Sequence, residues 1–261
     1  MQDEPAQSTP IPPRRYLLTG ATSGIGLGAA TLLRRRGHQL ELPARREMPD
    51  VQGTTWHSCD LSLMNDVDAL LSHIKDPVDG VLHVAGVLHP TFQPGPGGID
   101  ITWWTNLLGP ARLTLGLLPT MAPESRVVWI SGEAHRKAPL SPRDLGRAKG
   151  ARAAIQVATA KLAWTLALAR RHPELRVASF CPGLVRSNLS RNLPWIARGP
   201  VRLWMSRGAD PIDAARAPVA LLDDPWAGDV YTVRGAARQP ADHVNESLQE
   251  AVWDWVAHQI G

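Results

Sequence analysis

Between an apolar run, Tyr16-Leu17-Leu18-Thr19, and a helical stretch from Ile25 to Arg36, the chain reads Gly20-Ala21-Thr22-Ser23-Gly24-Ile25-Gly26. No other feature restricts the fold as much. Glycines 20, 24 and 26 let a backbone turn sharply out of a strand and approach a pyrophosphate closely. The helix that follows offers free N–H groups and a partial positive charge. A glycine cluster alone is weak evidence, and a tight turn with no ligand is the alternative. The strand–turn–helix setting favours the phosphate cradle.

The rest of the chain continues the alternation. Strands are predicted at Gln39–Leu42, Gly80–Val84, Arg126–Ile130, Arg176–Phe180 and Val230–Val233. Helices are predicted at Leu63–Ile74, Trp103–Leu118 (bent at Pro110), Arg152–Arg171, Asp213–Leu222 and Asn245–Gln259. Such alternation implies a parallel sheet covered by helices on both faces, an α/β doubly wound Rossmann fold. There is no internal repeat, and residues 16–261 read as one domain. Residues 1–15 are polar and Pro-rich, and read as a disordered tail. Residues 186–211, with Trp195, Trp204 and Met205, are apolar for a connection and read as a substrate lid.

With 261 residues, 44% of them hydrophobic, the chain can bury one sizeable core. The net charge is +4, and the arginines are scattered beside acids rather than grouped with aromatics. No nucleic-acid partner is therefore expected. No apolar run reaches membrane-spanning length, and the N-terminus lacks the apolar core of a signal peptide; a soluble cytoplasmic protein is expected. Cys59 and Cys181 read as buried thiols, and no Cys/His spacing suggests a metal.

After the second strand comes Pro43-Ala44-Arg45-Arg46. In dinucleotide-binding folds an acid near this place accepts the ribose 2′-OH, whereas arginine accommodates a 2′-phosphate. Glu41 lies two residues too early, so Arg45 and then Arg46 point to NADP(H). Two solvated surface arginines are the alternative.

Together these residues resemble the short-chain dehydrogenase/reductase family over residues 16 to about 258. Asp60-Leu61 matches the family's adenine-holding aspartate. His83-Val84-Ala85-Gly86 matches its Asn-Asn-Ala-Gly motif only at Ala85 and Gly86. Asn106 matches the asparagine of the active-site tetrad, and Lys161 the lysine that binds the nicotinamide ribose. Pro182-Gly183-Leu184-Val185-Arg186-Ser187 matches the segment around the nicotinamide. Ala134-His135 and Lys161-Leu162-Ala163 look like the retinol-dehydrogenase-like branch. The resemblance implies a nicotinamide-dependent oxidoreductase with Thr22, Ser23 and Ile25 beside the phosphates.

Two positions depart from the family. Its catalytic serine aligns with Gly132, and its catalytic tyrosine with Val157, in Val-Ala-Thr-Ala-Lys. Neither glycine nor valine can donate a proton. Tyr16 and Tyr231 belong to other strands. Ser131 stands beside the lost serine, but strand alternation points it to the other face. Glu133 and His135 follow it, with surface or structural roles as their alternative. Three substitutes for the acid stay open: another side chain such as Ser131, a water ordered by Lys161 and Asn106, or the substrate itself. A ketone beside a phenol already carries an internal hydrogen bond to its oxygen. Ten tryptophans against two tyrosines and two phenylalanines suit a flat aromatic ligand at Trp195 and Trp204, while Trp103, Trp104, Trp253 and Trp255 read as packing residues. The paired losses are similar to those of atypical ketoreductases of angucycline antibiotic pathways. That resemblance implies reduction of an aromatic polyketide. A non-catalytic NADP-binding sensor or partner protein and a non-redox cyclase or isomerase are the other readings. The oligomeric state is open.

Overall fold

The computed structural model describes residues 12–49, 51–136, 139–186, 199, 203, 206–226 and 230–261, without the side chains of residues 134 and 135. Its strands are β1 (Arg15–Thr19), β2 (Gln39–Ala44), β3 (Thr54–Ser58), β4 (Gly80–His83), β5 (Arg126–Ile130), β6 (Arg176–Cys181), β7 (Tyr231–Val233) and β8 (Ala236–Ala237). They form one sheet in the order β3-β2-β1-β4-β5-β6-β7-β8. All pairs are parallel except the antiparallel β7–β8 hairpin. The helices are α1 (Gly24–Arg35), α2 (Met64–His73), α3 (Ile101–Trp103), α4 (Gly109–Leu117), α5 (Ala151–Arg171), α6 (Pro211–Asp223) and α7 (Glu246–Ile260).

The strands alternate their side chains between two helical layers, because successive Cβ atoms point to opposite faces. Tyr16, Leu18, Leu82, Val128 and Phe180 form a core with α1 and α6. On the other face, Leu17 and Val81 pack with α2 and α4, and Val127, Trp129 and Val177 pack under α5 and α7. Apolar residues on both faces are what a parallel sheet covered by helices requires. Trp103 and Trp104 are buried. Trp253 stacks on Trp164 at 5.5 Å, and Trp255 meets Trp103 edge-on at 5.3 Å. These four tryptophans are packing residues, as the sequence suggests.

Three expectations need correction. The tail does not extend to residue 15. Arg15 opens β1, and the Arg14 N–H donates to His38 Nδ1 at 3.1 Å; residues 1–11 of the tail lie outside the described residues. The long helix is not bent at Pro110. A π-helical segment, Trp104–Leu108, joins α3 to α4, and Pro110 sits in the first turn of α4, where a missing N–H is tolerated. Strands β3 and β8 were not anticipated. β3 is a half-exposed edge strand of mixed polarity and β8 has two exposed residues, so neither shows an apolar run.

Candidate active site

Strands β1, β4, β5 and β6 end at one edge of the sheet. The strand order reverses between β1 and β4, and in open α/β sheets ligands bind in the crevice at that point. Thr19 ends β1 fully buried, and its Oγ1 accepts from the Ala85 N–H at 3.2 Å, tying the two loops together. Gly20 turns with φ +77°. A Cβ on Gly26 would stand 2.1 Å from the Gly20 carbonyl oxygen, so only glycine lets α1 start this close to the strand. Ser23 caps α1 in an extended conformation, and its side chain makes no capping hydrogen bond. The first N–H groups of α1 are thus left for a ligand, and this cradle fits the diphosphate of a dinucleotide. Thr22 and Ile25 flank it.

Arg45 and Arg46 follow the last residue of β2 directly, and both are exposed. Arg45 reaches within 3.9 Å of Asp60 Oδ2. The other carboxylate oxygen of Asp60 accepts from the Ser62 N–H and hydroxyl at 2.9 and 2.7 Å. Leu61 is buried, and a Cβ on Gly109 would come 1.8 Å from its carbonyl oxygen, so α4 rests directly on this loop. Glu41 is removed from the ribose question. It is buried in a pair with Arg15 (2.7 Å to Nε) and His57 (2.5 Å). Burial works to raise its carboxyl, but the hydrogen bonds from His57 and Arg15 outweigh that and hold it below its usual range.

Asn106 lies on the π-helical segment and is buried. Its Nδ2 donates to the Val87 carbonyl at 2.9 Å, and its Oδ1 accepts from the Val87 N–H at 2.8 Å. The amide therefore fixes the wall that continues from Ala85 and Gly86. Lys161 sits one turn after Val157 on α5, so the two share a helix face. Its Nζ donates to the Ile130 carbonyl at 2.7 Å, and burial pushes its pKa down to about 8. Val157 is 1% exposed, inside the core under α5. Gly132 is different: a Cβ built there meets no atom of the described residues within 4 Å. The Ser131 hydroxyl accepts from Ser179 Oγ at 2.8 Å, which ties it to β6. Glu133 is exposed and paired with Arg136 at 3.1 Å. The side chain of His135 lies outside the described residues.

The Pro182-Gly183 segment leaves β6 beside these groups. Val185 is buried and bridges to Ala209, and the Ala209 N–H donates to the Leu184 carbonyl at 2.9 Å. The two ends of the 186–211 connection are thus pinned together at the sheet edge. Ser187, Trp195, Trp204 and Met205 lie outside the described residues. Tyr16 is remote from the site: its hydroxyl donates to Asp223 at 2.8 Å, at the opposite edge of the sheet. Tyr231 is buried on β7, and burial pushes its hydroxyl up to about 12.

One buried group beside the site carried no recognised signal. His83 occupies the first place of the Asn-Asn-Ala-Gly-like motif. Its Nε2 lies 2.8 Å from Thr114 Oγ1, whose own proton goes to the Pro110 carbonyl at 2.9 Å. Thr114 must therefore accept, and His83 carries its proton on Nε2. Burial and the nearby Lys161 push its pKa down to about 3, so the ring is neutral. Among the described residues no cluster of His, Cys, Asp or Glu could hold a metal ion, and no helix is long and apolar enough to cross a membrane.

Comparison with known proteins agrees with this geometry. The family model described as enoyl-(acyl carrier protein) reductase matches residues 20–230. The chain belongs to the short-chain dehydrogenase/reductase family and is an oxidoreductase of that family. It is 28% identical to mouse retinol dehydrogenase 14, over 95% of this chain and 86% of that protein. It is 25% identical to a Streptomyces protein provisionally named daunorubicin C-13 ketoreductase DnrU, over 98% of this chain and 97% of that one. A Burkholderia cenocepacia short-chain dehydrogenase solved in complex with NADP shares the fold at TM-score 0.66 and 19% identity, covering 95% of this chain and 94% of that one.

Proposed function

We propose that the protein is an NADPH-dependent ketoreductase that reduces a ketone of a polycyclic aromatic polyketide, of the angucyclinone type, in antibiotic biosynthesis, without a catalytic tyrosine. In its paired losses it resembles the simocyclinone ketoreductase. The observation that carries this reading is the contrast within the site. Gly26 packs against the Gly20 carbonyl, Lys161 donates to Ile130 and Asn106 holds Val87, while a Cβ on Gly132 meets no described atom within 4 Å and Val157 is buried in apolar core. The likeness to DnrU over nearly the whole of both chains supports a ketone of this class. Arg45 and Arg46 follow β2 directly and are exposed, and Glu41 is held by Arg15 and His57. These two facts support NADP(H).

A reduced nicotinamide supplies the hydride when bound. The residues of the chain do the rest. The α1 N–H groups would hold the diphosphate, and Lys161 would hold the nicotinamide ribose. Asn106 keeps the Gly86–Val87 wall in position. Nothing at positions 132 or 157 donates a proton, so the growing negative charge on the ketone oxygen is met by a hydroxyl beside it on the substrate. Such an internal donor needs no protein acid, and open space at Gly132 leaves room for it. Glu133, paired with Arg136, is a weaker source; Ser131, which accepts from Ser179, keeps its own proton and is the side-chain alternative.

The test is NADPH oxidation with aromatic ketones that carry a peri-hydroxyl, beside their O-methyl ethers. Substrate-dependent loss of reduced-nicotinamide absorbance with the hydroxy ketones, and little with the ethers, is expected. No oxidation with any ketone refutes the reading. Product formed equally with oxidised and reduced cofactor would instead select a non-redox enzyme, and tight NADPH binding without any turnover a sensor.

A further inference from the structure

The β7–β8 hairpin turns through two residues, Arg234 and Gly235, and both have positive φ, +52° and +85°. That is the signature of a type I′ turn, whose first central position favours Asn, Asp or Gly. An arginine there gains nothing for the turn, since a Cβ-bearing residue is disfavoured in the left-handed region. A non-glycine outlier of this kind calls for a reason outside the turn itself.

The side chain supplies one. The backbone N–H of Arg234 donates to the Cys181 carbonyl at 2.9 Å, which holds the turn against β6, and the guanidinium folds back over Gly183. Its Nε and Nη2 lie 2.6 and 3.0 Å from where a Cβ on Gly183 would stand. It thus fills the space of a side chain on the segment that leaves β6 at the ligand-binding edge. Arg234 and Glu133 are the charged groups that act on the Cys181 thiol, which places the guanidinium among the ends of β5, β6 and β7. Neighbouring arginines have acids: Arg136 pairs with Glu133, and Arg186 with Asp210. Among the described residues no carboxylate pairs with Arg234, and the residue is exposed. Its rigid fork of donors is left for a ligand.

We propose that Arg234 is a substrate-binding residue that takes an anionic oxygen, a carboxylate or phenolate, of the aromatic substrate beside the Gly183 wall. The substrate class rests on the ketoreductase reading above. The cofactor diphosphate is the other source of such an oxygen, and the experiment separates the two.

Arg234→Asn installs the residue the turn prefers, so it leaves the thermal midpoint unchanged or raises it. The probes are an anthraquinone-carboxylate and the matching carboxamide, titrated by tryptophan quenching into full-length protein saturated with NADP⁺. The unaltered protein is expected to bind the carboxylate about tenfold more tightly than the amide, the scale of one charge-assisted hydrogen bond. Arg234→Asn is expected to bind both alike, with NADPH affinity kept within about twofold, and Arg234→Lys to keep part of the preference. An unaltered protein that shows no preference, or an Arg234→Asn protein that retains it, overturns the proposal. Weaker NADPH binding with the probe preference intact moves the ligand to the cofactor and also overturns it. A clear drop in the thermal midpoint of Arg234→Asn would make the arginine structural and do the same. The titration needs no turnover. A protein that discriminates the probes through Arg234 yet never oxidises NADPH would keep this site while the reductase reading falls.

Discussion

Restoring the tyrosine tests the central argument most directly. Val157 is 1% exposed in the core beneath α5, so its methyl groups are already covered. A tyrosine ring there must displace neighbours, and overpacking of this kind costs about 1–3 kcal/mol. For a chain of this size about 2–4 °C of Tm is lost per kcal/mol, so Val157→Tyr should melt about 2–12 °C lower. Val157→Phe should be hit as hard and should lose turnover by crowding the pocket. The comparison of the two isolates the hydroxyl. A positioned general acid is worth ~10²–10⁴ in rate. If the substrate stabilises its own alkoxide, Val157→Tyr should show none of that gain over Val157→Phe. Gly132→Ser should be nearly neutral in stability, within about 0.5 kcal/mol, because its Cβ enters open space. The double variant, Gly132→Ser with Val157→Tyr, then rebuilds the acid pair with only one strained position. Single-turnover NADPH oxidation and thermal melts on the four variants make the measurement. A gain of ~10³-fold in either tyrosine variant would mean that the missing acid limits the rate, and the substrate-assisted argument would be wrong.

Two further outcomes follow from the charges. Burial lowers the pKa of Lys161 to about 8, so its ammonium is present below that pH and lost as pH rises through it. Turnover that needs the cation should fall above about pH 8, while His83, held near 3, should add no acid limb around its usual range. Between about pH 8 and the ordinary lysine range the unfolded chain holds the extra proton, so this group's contribution to stability rises with pH there. Lys161→Ala should cut the rate and remove the alkaline limb; a limb that persists in that variant would take Lys161 out of the mechanism. Arg45→Ala should weaken NADPH binding about tenfold or more while leaving NADH nearly unchanged, since the loss is one charge-assisted contact to a 2′-phosphate. Equal weakening of both cofactors in a fluorescence titration would place Arg45 elsewhere.

The sequence carried the elements that bury an apolar face. β5 lies at Arg126–Ile130 as its apolar run predicts, and α5 and α7 begin within a residue of their expected starts. The glycine spacing at 20, 24 and 26 was legible because a close backbone approach leaves no choice of residue. Gly132 and Val157 were legible as residues that carry no proton donor, because that follows from residue type alone. Edge strands β3 and β8 were not, since half-exposed residues carry no period. The π-helical segment around Asn106 was read as a bend at Pro110, four residues late, because an altered hydrogen-bond pattern leaves no mark in composition.

By itself, then, the sequence determined a doubly wound sheet, a glycine-rich turn between its first strand and first helix, and residues without a proton donor at positions 132 and 157. Those are local properties, set by residue type and spacing along the chain. Only the tertiary structure decided what those residues meet. It placed Glu41 in a buried pair with Arg15 and His57, turned the Asn106 amide onto Val87, and set Lys161 against the Ile130 carbonyl. It also folded Arg234 back over Gly183, 51 residues earlier in the chain. A side chain's partner is chosen by whichever strand or helix packing brings within about 3 Å of it. Strand order and sheet register set that choice, and neither is written at the residue itself.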